Sequence, residues 1–573
     1  MTTPSGPGPR IAWHAGALAA FLGAAFFLSC EVWRQGPRET VLANAAASNG
    51  EPLVGFWKLT SEADTTFVAW LVGRNARTLV TRPWALFEAE HCAPARNALT
   101  LSEPMLTLGL LAVPGWLLTG DPILAYNTAL LALRVLMALA LYALVVAWTR
   151  SPPAGIAAGL LYAFHPVWTR DVTHAFIYDT GWTALALLFA QRLFSRGRWR
   201  DALGLGLCIA LQMGTSLYPM IAAVCLALPF TAWLLTSYRL RNLRRPGPPL
   251  LALGIVLVAA ALVYSPYLFA RDGGDALHAG MQLGTTWGSF LPGGAHFPGW
   301  ALLLLALAGL ALGARGSLAG LDVDPRWALL LGAALVAWVS TSNSQPSLGS
   351  LQLPNLYQAL AALIPGLESV RVVGRVSVGV HLVLCLLAGL GAAALLARVP
   401  AGRARFAAIG LLLCLAAVAT LWPRLLGIPE RLGYRVVDVR PAQETLELFR
   451  EAEAQGSQGP LAELPLRSQG RITLLEESRR ILLNAWHRRR TSACYGSFQP
   501  AGQAGVKALL KDLPQPEAVR GVRELGFETV VLRGPAAGLR ERFDRASAGP
   551  AARIRLLAER GERSVWELYA PAD

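Results

Sequence analysis

The segment from residue 62 to residue 103 carries the polar chemistry around which the rest of the chain is organised. It reads EADTTF at 62–67, RPWALFEAEH at 82–91 and SEP at 102–104, and strongly apolar runs lie on both sides of it. Carboxylates, a histidine and aromatic rings beside a hydrocarbon boundary suit an active site at a membrane surface, because such groups move protons and hold an amphipathic substrate. A solvated loop that only caps the neighbouring helices is the alternative.

The composition identifies a polytopic membrane protein. Of the 573 residues, 54% are hydrophobic and only 15% are charged, and the mean hydropathy is +0.43. Soluble domains carry about 25% charged residues. The net charge is +15, but the arginines lie in short clusters between apolar runs, which is the pattern that orients a membrane protein and not that of a nucleic-acid-binding face. We therefore expect a lipid bilayer as surroundings and no nucleic acid as partner.

Apolar runs predict a mainly α-helical bundle of about eleven membrane spans. The first run, 11–29, is interpreted as a retained span and not as a cleaved signal peptide, since it is about long enough to cross. The others lie at 123–148, 154–168, 181–194, 202–213, 221–237, 250–270, 300–313, 327–340, 378–397 and 406–425. Several are shorter than the roughly 20 residues of a full crossing, so we expect flanking polar residues to extend them.

The arginine clusters between these runs decide the predicted topology. If the amino terminus is cytoplasmic, and if 101–118 lies along the surface or dips into the membrane without crossing, every cluster falls on the cytoplasmic side, as the positive-inside rule requires. The first outside loop, 30–121, then lies on the extracytoplasmic face with its surface helices. The other polar segments on that face are 169–180, 214–219, 272–298 and 341–375. The polar chemistry of the chain thus converges on one side.

A change in composition near residue 427 predicts a second domain. Residues 1–426 form the membrane domain, and residues 427–573 are dense in charges of both signs. Short β-like runs are predicted at 461–466, 527–532, 554–557 and 565–569, with helical stretches at 441–450 and 506–510. We expect a small soluble α/β domain, which an odd number of spans places on the extracytoplasmic side. Its segments WHRRR at 486–490 and CYGSFQP at 494–500 could bind an acceptor or simply lipid headgroups.

The seven cysteines show no metal or redox spacing. Four of them lie in apolar runs and are interpreted as small core residues: Cys208, Cys225, Cys385 and Cys414. Cys30 and Cys92 bracket the first outside loop. A disulfide between them is one option in an oxidising compartment, although sequence does not give the geometry.

Candidate catalytic acids stand in two of the outer segments. Asp64 precedes Phe67, and a partly desolvated carboxylate at the membrane edge is a candidate general base toward an acceptor hydroxyl, although it could equally be a loop or cap acid. Asp171, His174 and Asp179 lie in a short outer connection close to the bilayer. A divalent cation, Mg²⁺ or Mn²⁺, held by Asp64 and His174 is conceivable, but no spacing here is a metal signature.

Further residues of the outer face are candidates for substrate binding. Arg371 and Arg375 stand four residues apart at the outer end of a span, where orientation by charge does not require them, and the planar guanidinium fits a lipid phosphate. Pairing with Glu368 or with ordinary headgroups is the alternative. The remaining candidates are three acids and two aromatic residues: Glu62, Glu88, Glu103, Trp70 and Trp84.

This arrangement resembles the GT-C class of integral-membrane glycosyltransferases, in particular poorly characterised bacterial members. The resemblance covers most of the membrane part: a first span, a long outside loop with the early acid Asp64, a second outer loop with Asp171 or Asp179, and a soluble carboxy-terminal domain. Three segments match loosely, namely GDPILAYN at 120–127, FHP at 164–166 and VRVVGR at 370–375. The chain departs from many relatives at 102–104, where it has SEP in place of a His/Lys-Pro-Pro stretch.

The resemblance implies transfer of a sugar from a polyprenyl-phosphate donor to a hydroxyl of a glycan, lipid or protein acceptor, at the outer face of a bacterial inner (plasma) membrane. Asp64 would take the acceptor proton, and Arg371, Arg375 or a cation would stabilise the leaving lipid phosphate. A non-catalytic GT-C-like scaffold and a lipid or glycan transporter remain alternatives. Sugar transfer requires that Asp64 and the two arginines share one chamber on the outer face.

Overall fold

Over its described residues, each of the eleven predicted apolar runs coincides largely with a helix in the structure, which is a computed structural model; the run at 154–168 extends past its helix, which ends at Ala163. It describes residues 7–46, 52–166, 171–238, 246–270, 275–276, 283–312, 318, 321, 323–341, 347–348, 351–352, 355–364, 366–367, 370–425, 433–466, 473–534, 538–548 and 553–569. The helices of the membrane part are α1 (Pro7–Gln35), α2 (Gly55–Thr81), α3 (Leu106–Thr119), α4 (Pro122–Thr149), α5 (Pro152–Ala163), α6 (Gly181–Arg196), α7 (Trp199–Met213), α8 (Leu217–Ser237), α9 (Gly247–Phe269), α10 (Trp300–Leu312), α11 (Arg326–Ser340), α12 (Leu356–Leu363), α13 (Val378–Arg398) and α14 (Arg403–Leu425). The mainly α-helical membrane bundle is thus confirmed.

Six helices of the described part are long and apolar enough to cross a membrane: α1, α4, α8, α9, α13 and α14. Three shorter apolar helices, α3, α10 and α11, have 13 to 15 residues. The expected number of about eleven spans is reached only if α5, α6, α7, α10 and α11 also cross. The protein is a multi-pass membrane protein.

Local signals explain where several of these helices begin and end. Asp121 caps α4, because its Oδ1 accepts from the backbone N–H groups of Ile123 and Leu124 at 3.0 and 2.9 Å. Gly197 ends α6 in the left-handed conformation, with φ of +63°, which a glycine adopts without steric cost. These stops set the connections that turn the chain back toward the bundle.

Helix α2 differs from what the sequence predicts. The polar stretch that begins at Glu62 does not form an interfacial loop with separate surface helices but one helix of 27 residues, buried along most of 61–78. It packs against α3, α4 and a helix of the carboxy-terminal part. The helix can be buried because its charges are paired: Arg74 donates to Glu90 at 3.0 Å and to the carbonyl of Glu88 at 2.7 Å.

The carboxy-terminal part is the α/β unit that the sequence predicts. The strands of its sheet are β6 (Leu461–Leu464), β8 (Thr529–Arg533), β9 (Ile554–Arg560) and β10 (Arg563–Leu568). Their order in the sheet is β6-β8-β10-β9, with β6 parallel to β8 and the other pairs antiparallel. The helices are α15 (Gln443–Ala454), α16 (Leu474–His487), α17 (Gln503–Asp512), α18 (Pro516–Glu524) and α19 (Leu539–Ser547). The predicted boundary at 426 and 427 lies outside the described residues.

Short strand pairs link segments that are distant in the sequence. Strand β1 (Thr40–Asn44) pairs antiparallel with β5 (Tyr434–Asp438), so the start of the first loop is bonded to the chain after α14. Strand β2 (Asp275–Ala276) pairs with β7 (Phe498–Gln499). Strands β3 (Ser347–Leu348) and β4 (Leu351–Gln352) form a local hairpin. The first two pairs join the two predicted domains through main-chain hydrogen bonds.

The disulfide of the structure is not the one considered from the sequence. Cys92 pairs with Cys494, 402 residues further along the chain, and Cys30 is a buried residue that is not part of this disulfide. The two backbones are side by side at this point, since the N–H of Cys92 donates to the carbonyl of Ala493 at 2.9 Å. The sequence does not predict a disulfide between the first loop and the carboxy-terminal part, because this pairing depends on how these two regions pack together.

Helices α10 and α13 approach so closely that only glycine fits between them. A Cβ atom on Gly391 would stand 2.0 Å from the carbonyl oxygen of Leu305, and one on Gly309 would stand 2.0 Å from that of Leu387. Small residues allow such backbone contact between membrane helices. The pair anchors α13, whose amino-terminal end carries residues of the candidate site.

We expect Gly391→Ala to destabilise the protein by about 1–3 kcal/mol, the usual cost of overpacking a well-packed core. The reason is that the added methyl group forces the two helices apart. Thermal unfolding of the purified protein in detergent measures the effect. Gly410→Ala is the matched control, because a Cβ there meets no atom within 4 Å; equal melting temperatures for the two variants would contradict the prediction.

Candidate active site

Three distant segments bring one aspartate–histidine–aspartate–arginine series together. Asp64 comes from α2, Asp171 and His174 from the connection before α6, and Arg375 from the 3-10 turn Val373–Ser377. The Nε2 atom of His174 lies 3.7 Å from Oδ2 of Asp64, and its Nδ1 lies 2.9 Å from Oδ1 of Asp171. Nη2 of Arg375 lies 3.9 Å from Oδ2 of Asp171. Asp64 and Arg375, which are far apart in the sequence, therefore lie in one cluster.

The end of strand β1 holds the Asp171 connection in place. Asn44 donates through Nδ2 to Oδ1 of Asp171 at 2.7 Å, and its Oδ1 accepts from the N–H of Thr173 at 3.2 Å. The hydroxyls of Thr65 and Thr173 are 2.7 Å apart, which ties the connection to α2 as well. The pairing of β1 with β5 thus fixes the position of a candidate site residue.

Asp171 is ionised, and both of its carboxylate oxygens already accept hydrogen bonds. Burial disfavours its charge, but the neighbouring His174 and Arg375 and the hydrogen bonds from His174 and Asn44 outweigh burial and hold the pKa of Asp171 well below its usual range. Its Oδ1 accepts from His174 and Asn44, and its Oδ2 accepts from the hydroxyl of Tyr178 at 3.2 Å. Asp171 is therefore suited to orienting its neighbours and poorly suited to taking a further proton.

Asp64 keeps one carboxylate oxygen available. Its Oδ1 accepts from the hydroxyl of Tyr495 at 2.5 Å, whereas Oδ2 faces His174 at 3.7 Å. The Asp64 side chain is 28% exposed, more than that of His174 at 19% or Asp171 at 20%. Of the carboxylates in this cluster, Asp64 is the one that a ligand reaches most easily.

The two candidate arginines have different surroundings. The guanidinium of Arg375 lies over the ring of Tyr218, 5.7 Å from its centroid. Arg371 is a partly buried residue whose carbonyl accepts from the N–H of Leu283 at 2.6 Å, which fixes the backbone just before the turn. Glu368, the alternative partner considered from the sequence, lies outside the described residues.

Glu103 is a further acidic residue near the cluster. Its Oε2 accepts from the N–H of Leu217 at 3.1 Å, at the amino-terminal end of α8. Burial raises the pKa of Glu103, although the Leu217 N–H, the Ser216 hydroxyl, Arg375 and His174 oppose that rise. Glu103 thus lies within electrostatic reach of the arginine and the histidine.

The structure does not bring the other candidate residues to this cluster. Glu62 forms an ion pair with Arg435 at 2.5 Å, and Glu88 accepts from the N–H of Asn97 at 3.2 Å. Trp70 is fully buried, with its Nε1 3.4 Å from Oδ1 of Asn484, and Trp84 is 82% exposed. These contacts give the residues structural or surface roles in the described part of the chain.

Asp179 also lies apart from the cluster, at the start of α6. Its carboxylate accepts from the N–H of Gly181 at 3.3 Å and from Nε1 of Trp182 at 3.0 Å. Burial raises its pKa to about 7, against the effect of these two hydrogen bonds. Asp179 acts as a capping acid that is protonated more readily than an ordinary aspartate.

The residues offer few ligands for a metal ion. Within the described ranges, no group of three or more His, Cys, Asp or Glu side chains could hold one. Asp64 and His174 would supply two donors, and Mg²⁺ sites in phosphate-handling enzymes often use one or two carboxylates with the rest from substrate and water. The protein residues alone therefore do not make a complete cation site.

Sequence reasoning missed the residues that hold the candidate acids. Asn44 and Tyr178 bind Asp171, and Tyr495 binds Asp64. Sequence analysis named the segment CYGSFQP at 494–500 as a possible binding segment, but nothing in that segment indicates a contact with α2. These contacts join residues up to 431 positions apart, so no local pattern could reveal them.

No protein-family model matches the chain, and no curated protein matches its sequence. The chain is similar in structure to GT-C glycosyltransferases, the class that its sequence resembles. The arabinofuranosyltransferase AftD from mycobacteria is 15% identical at a TM-score of 0.49; the similarity covers 92% of this chain and 40% of AftD. ArnT from Cupriavidus metallidurans, solved in the apo state and bound to undecaprenyl phosphate, is 13% identical at a TM-score of 0.46. That similarity covers 99% of this chain and 99% or 100% of ArnT.

We expect the Asp179 carboxyl to make the stability of the protein depend on pH. Its folded-state pKa of about 7 lies above the roughly 3.9 of an unfolded aspartate, so the folded state binds the proton more tightly. Stability from this group is present at low pH and is lost as the pH rises toward and beyond 7. Asp179→Asn should therefore lose less thermal stability than the wild type between pH 5 and pH 8.

Thermal unfolding in detergent at pH 5, 6, 7 and 8 measures this difference. Asp512→Asn is the control, because Asp512 is an exposed residue at the end of α17. A difference in melting temperature between Asp179→Asn and wild type that stays constant across the four pH values would contradict the assignment.

Proposed function

We propose that this protein is a membrane glycosyltransferase that moves a sugar from a polyprenyl-phosphate donor to an acceptor hydroxyl. The observation that carries the proposal is the assembly of an accessible carboxylate, Asp64, with the guanidinium of Arg375 around His174 and Asp171. A base for the acceptor and a cation for the leaving phosphate are the two groups that such a transfer needs.

The proposed reaction is a displacement at the anomeric carbon. Oδ2 of Asp64 takes the proton of the acceptor hydroxyl while the acceptor oxygen forms its bond to the anomeric carbon. The bond from that carbon to the phosphate oxygen breaks, and the electron pair leaves with the lipid phosphate. Arg375, together with Arg371, stabilises the negative charge that develops on this phosphate.

The supporting residues set the geometry of this reaction. Asp171 uses its oxygens to hold His174 and lies 3.9 Å from Arg375, so it orients both groups. The separation between Arg375 and Asp171 exceeds that of a charge-assisted hydrogen bond, about 2.7–2.9 Å. Asp171 thus leaves guanidinium donors of Arg375 for an anionic ligand.

A divalent cation, Mg²⁺ or Mn²⁺, remains part of the proposal only as an addition to this site. Asp64 and His174 would be its protein ligands, and oxygens of the donor would complete the shell. Its chemistry would be charge stabilisation on the phosphate. The roles of Asp64 as base and of Arg375 as phosphate ligand do not depend on it.

We place the site on the extracytoplasmic face of the inner membrane, with a cytoplasmic amino terminus. Two observations support this orientation. The Cys92–Cys494 disulfide lies close to Asp64 through Tyr495, and disulfides persist in oxidising compartments. The arginine clusters between the predicted spans favour the cytoplasm for the other face.

The alternatives are a non-catalytic scaffold and a transporter of lipids or glycans. A transporter would use polar residues within its spans. Gln212 is engaged with Thr183 and with the carbonyl of Asp179, and His381 lies 3.2 Å from the carbonyl of Tyr162. These contacts give both residues a structural role. A scaffold would have no need for a partly exposed Asp64 beside Arg375.

We expect Asp64→Asn to lower turnover by about 10²- to 10⁴-fold, the usual contribution of general-base catalysis. Asparagine keeps an oxygen for Tyr495 but accepts no proton. The measurement is mass-spectrometric detection of polyprenyl phosphate released from a panel of polyprenyl-phosphate pentoses and hexoses by the purified protein. Asp438→Asn, at an exposed position of β5, is the control. Undiminished turnover in Asp64→Asn would remove Asp64 from the mechanism.

We expect Arg375→Gln to weaken the binding of undecaprenyl phosphate by roughly 10- to 100-fold, since a hydrogen bond to a charged group contributes about 1.5–3 kcal/mol. Native mass spectrometry with undecaprenyl phosphate measures the affinity, and thermal unfolding checks the fold. Arg398→Gln is the matched control, because Arg398 lies at the opposite end of α13 from the turn that holds Arg375 and donates to the carbonyl of Ala394. If both variants bind as the wild type does, Arg375 is not a phosphate ligand.

A further inference from the structure

A segment of the carboxy-terminal part crosses the outer face beside the candidate site; we call residues 490–499 the strap. Its main chain is bonded to the first loop on one side. The N–H of Ala93 donates to the carbonyl of Thr491 at 2.8 Å, and the N–H of Ser497 donates to that of Leu101 at 2.9 Å. At its far end, Phe498 and Gln499 form the strand that pairs with 275–276. The strap is thus held at both ends.

Two further features fix the middle of the strap. The Cys92–Cys494 disulfide joins it covalently to the first loop, one residue before Tyr495. One residue after Tyr495, a Cβ atom on Gly496 would lie 2.8 Å from the carbonyl oxygen of Leu101, so only glycine allows this close approach. Tyr495 therefore stands between two anchored positions.

Helix α2 receives Tyr495 with two side chains on one face. Asp64 and Phe67 are three residues apart on the helix, so they project in similar directions. The Tyr495 ring lies 5.3 Å from that of Phe67, and its hydroxyl donates to Oδ1 of Asp64 at 2.5 Å. Phe67 in turn packs against His91 and Trp70, whose rings are fully buried. A buried cluster of aromatic rings, packed tilted and edge to face, therefore sets the position of the tyrosine hydroxyl.

We propose that Tyr495 is a positioning residue for Asp64, supplied by the strap. The proposal rests on the proposed sugar transfer. An aspartate carboxylate rotates broadly about its last torsion, and the hydroxyl bond on Oδ1 stops this rotation. Oδ2 then faces His174, and an acceptor hydroxyl would approach this oxygen. The carboxy-terminal part thereby contributes to the active site of the membrane part.

The test compares Tyr495→Phe, which keeps the ring on Phe67, with Tyr495→Ala, which removes it. If the hydroxyl positions Asp64, Tyr495→Phe lowers kcat by tenfold or more with KM nearly unchanged, and Tyr495→Ala lowers kcat at least as far. If Tyr495 only packs, Tyr495→Phe has wild-type kcat and Tyr495→Ala alone is impaired, which overturns the proposal. Tyr569→Phe, a partly buried tyrosine of the same carboxy-terminal part, is the control.

A second readout needs no sugar donor. Asp64 is labelled with a water-soluble carbodiimide and glycine ethyl ester in the full-length protein, and the modified peptide is quantified by mass spectrometry. We expect labelling of Asp64 to rise several-fold in Tyr495→Phe, because the carboxylate loses its hydrogen-bond donor and its fixed orientation. Equal labelling in wild type and Tyr495→Phe overturns the positioning role. A wild type that releases no polyprenyl phosphate, together with increased labelling in the variant, refutes the sugar transfer and leaves the Tyr495 contact intact.

Discussion

The removal of charged side chains on helix α2 from water is the constraint on which the rest of the structure depends. Such a charge is costly unless it is paired and hydrogen-bonded, and α2 carries several: Arg74 is buried, and Glu62 and Asp64 are partly buried. Arg74 finds Glu90 in the following loop, Glu62 finds Arg435 in β5, and Asp64 finds Tyr495 in the strap. Each partner comes from a different region, so satisfying these charges brings the first loop, the segment after α14 and the carboxy-terminal part around one helix.

The same need for hydrogen-bonding partners gives Asp171 and Asp64 different environments. Asp171 is surrounded by donors on both oxygens, and its neighbours hold its pKa low, which leaves it charged and engaged. Asp64 has one donor on Oδ1 and a more exposed side chain. Asp64 and Asp171, which both contact His174, thus differ in how easily a ligand reaches them. Asp171 is hydrogen-bonded by Asn44 of β1, and Asp64 is hydrogen-bonded by Tyr495 of the strap. That difference is the reason for assigning the base to Asp64.

The sequence predicts elements whose signal is local. Apolar runs located eleven of the described membrane helices, and short β-like runs located the strands of the carboxy-terminal sheet, because hydrophobic periodicity follows directly from burial. Helix α2 escaped this reasoning, since its polar residues have the composition of a loop and only distant partners make their burial stable. Charge placement also brought Asp64, Asp171 and Arg375 to one face. Asn44, Tyr495 and the partner of Cys92 depend on contacts between remote segments, which composition and spacing do not encode.

The strap also sets an order of events in the life of the chain. Cys92 and Cys494 are 402 residues apart, and the tyrosine that holds Asp64 follows the second cysteine directly. Asp64 and Arg375 are synthesised before that tyrosine, so a growing polypeptide carries the proposed reacting groups without the residue that binds Asp64. The contact between Asp64 and Tyr495 forms only after the carboxy-terminal part has folded against the first loop. In the proposed extracytoplasmic orientation this folding follows export of the last segment, so that completion of the proposed site and delivery of that segment are one step.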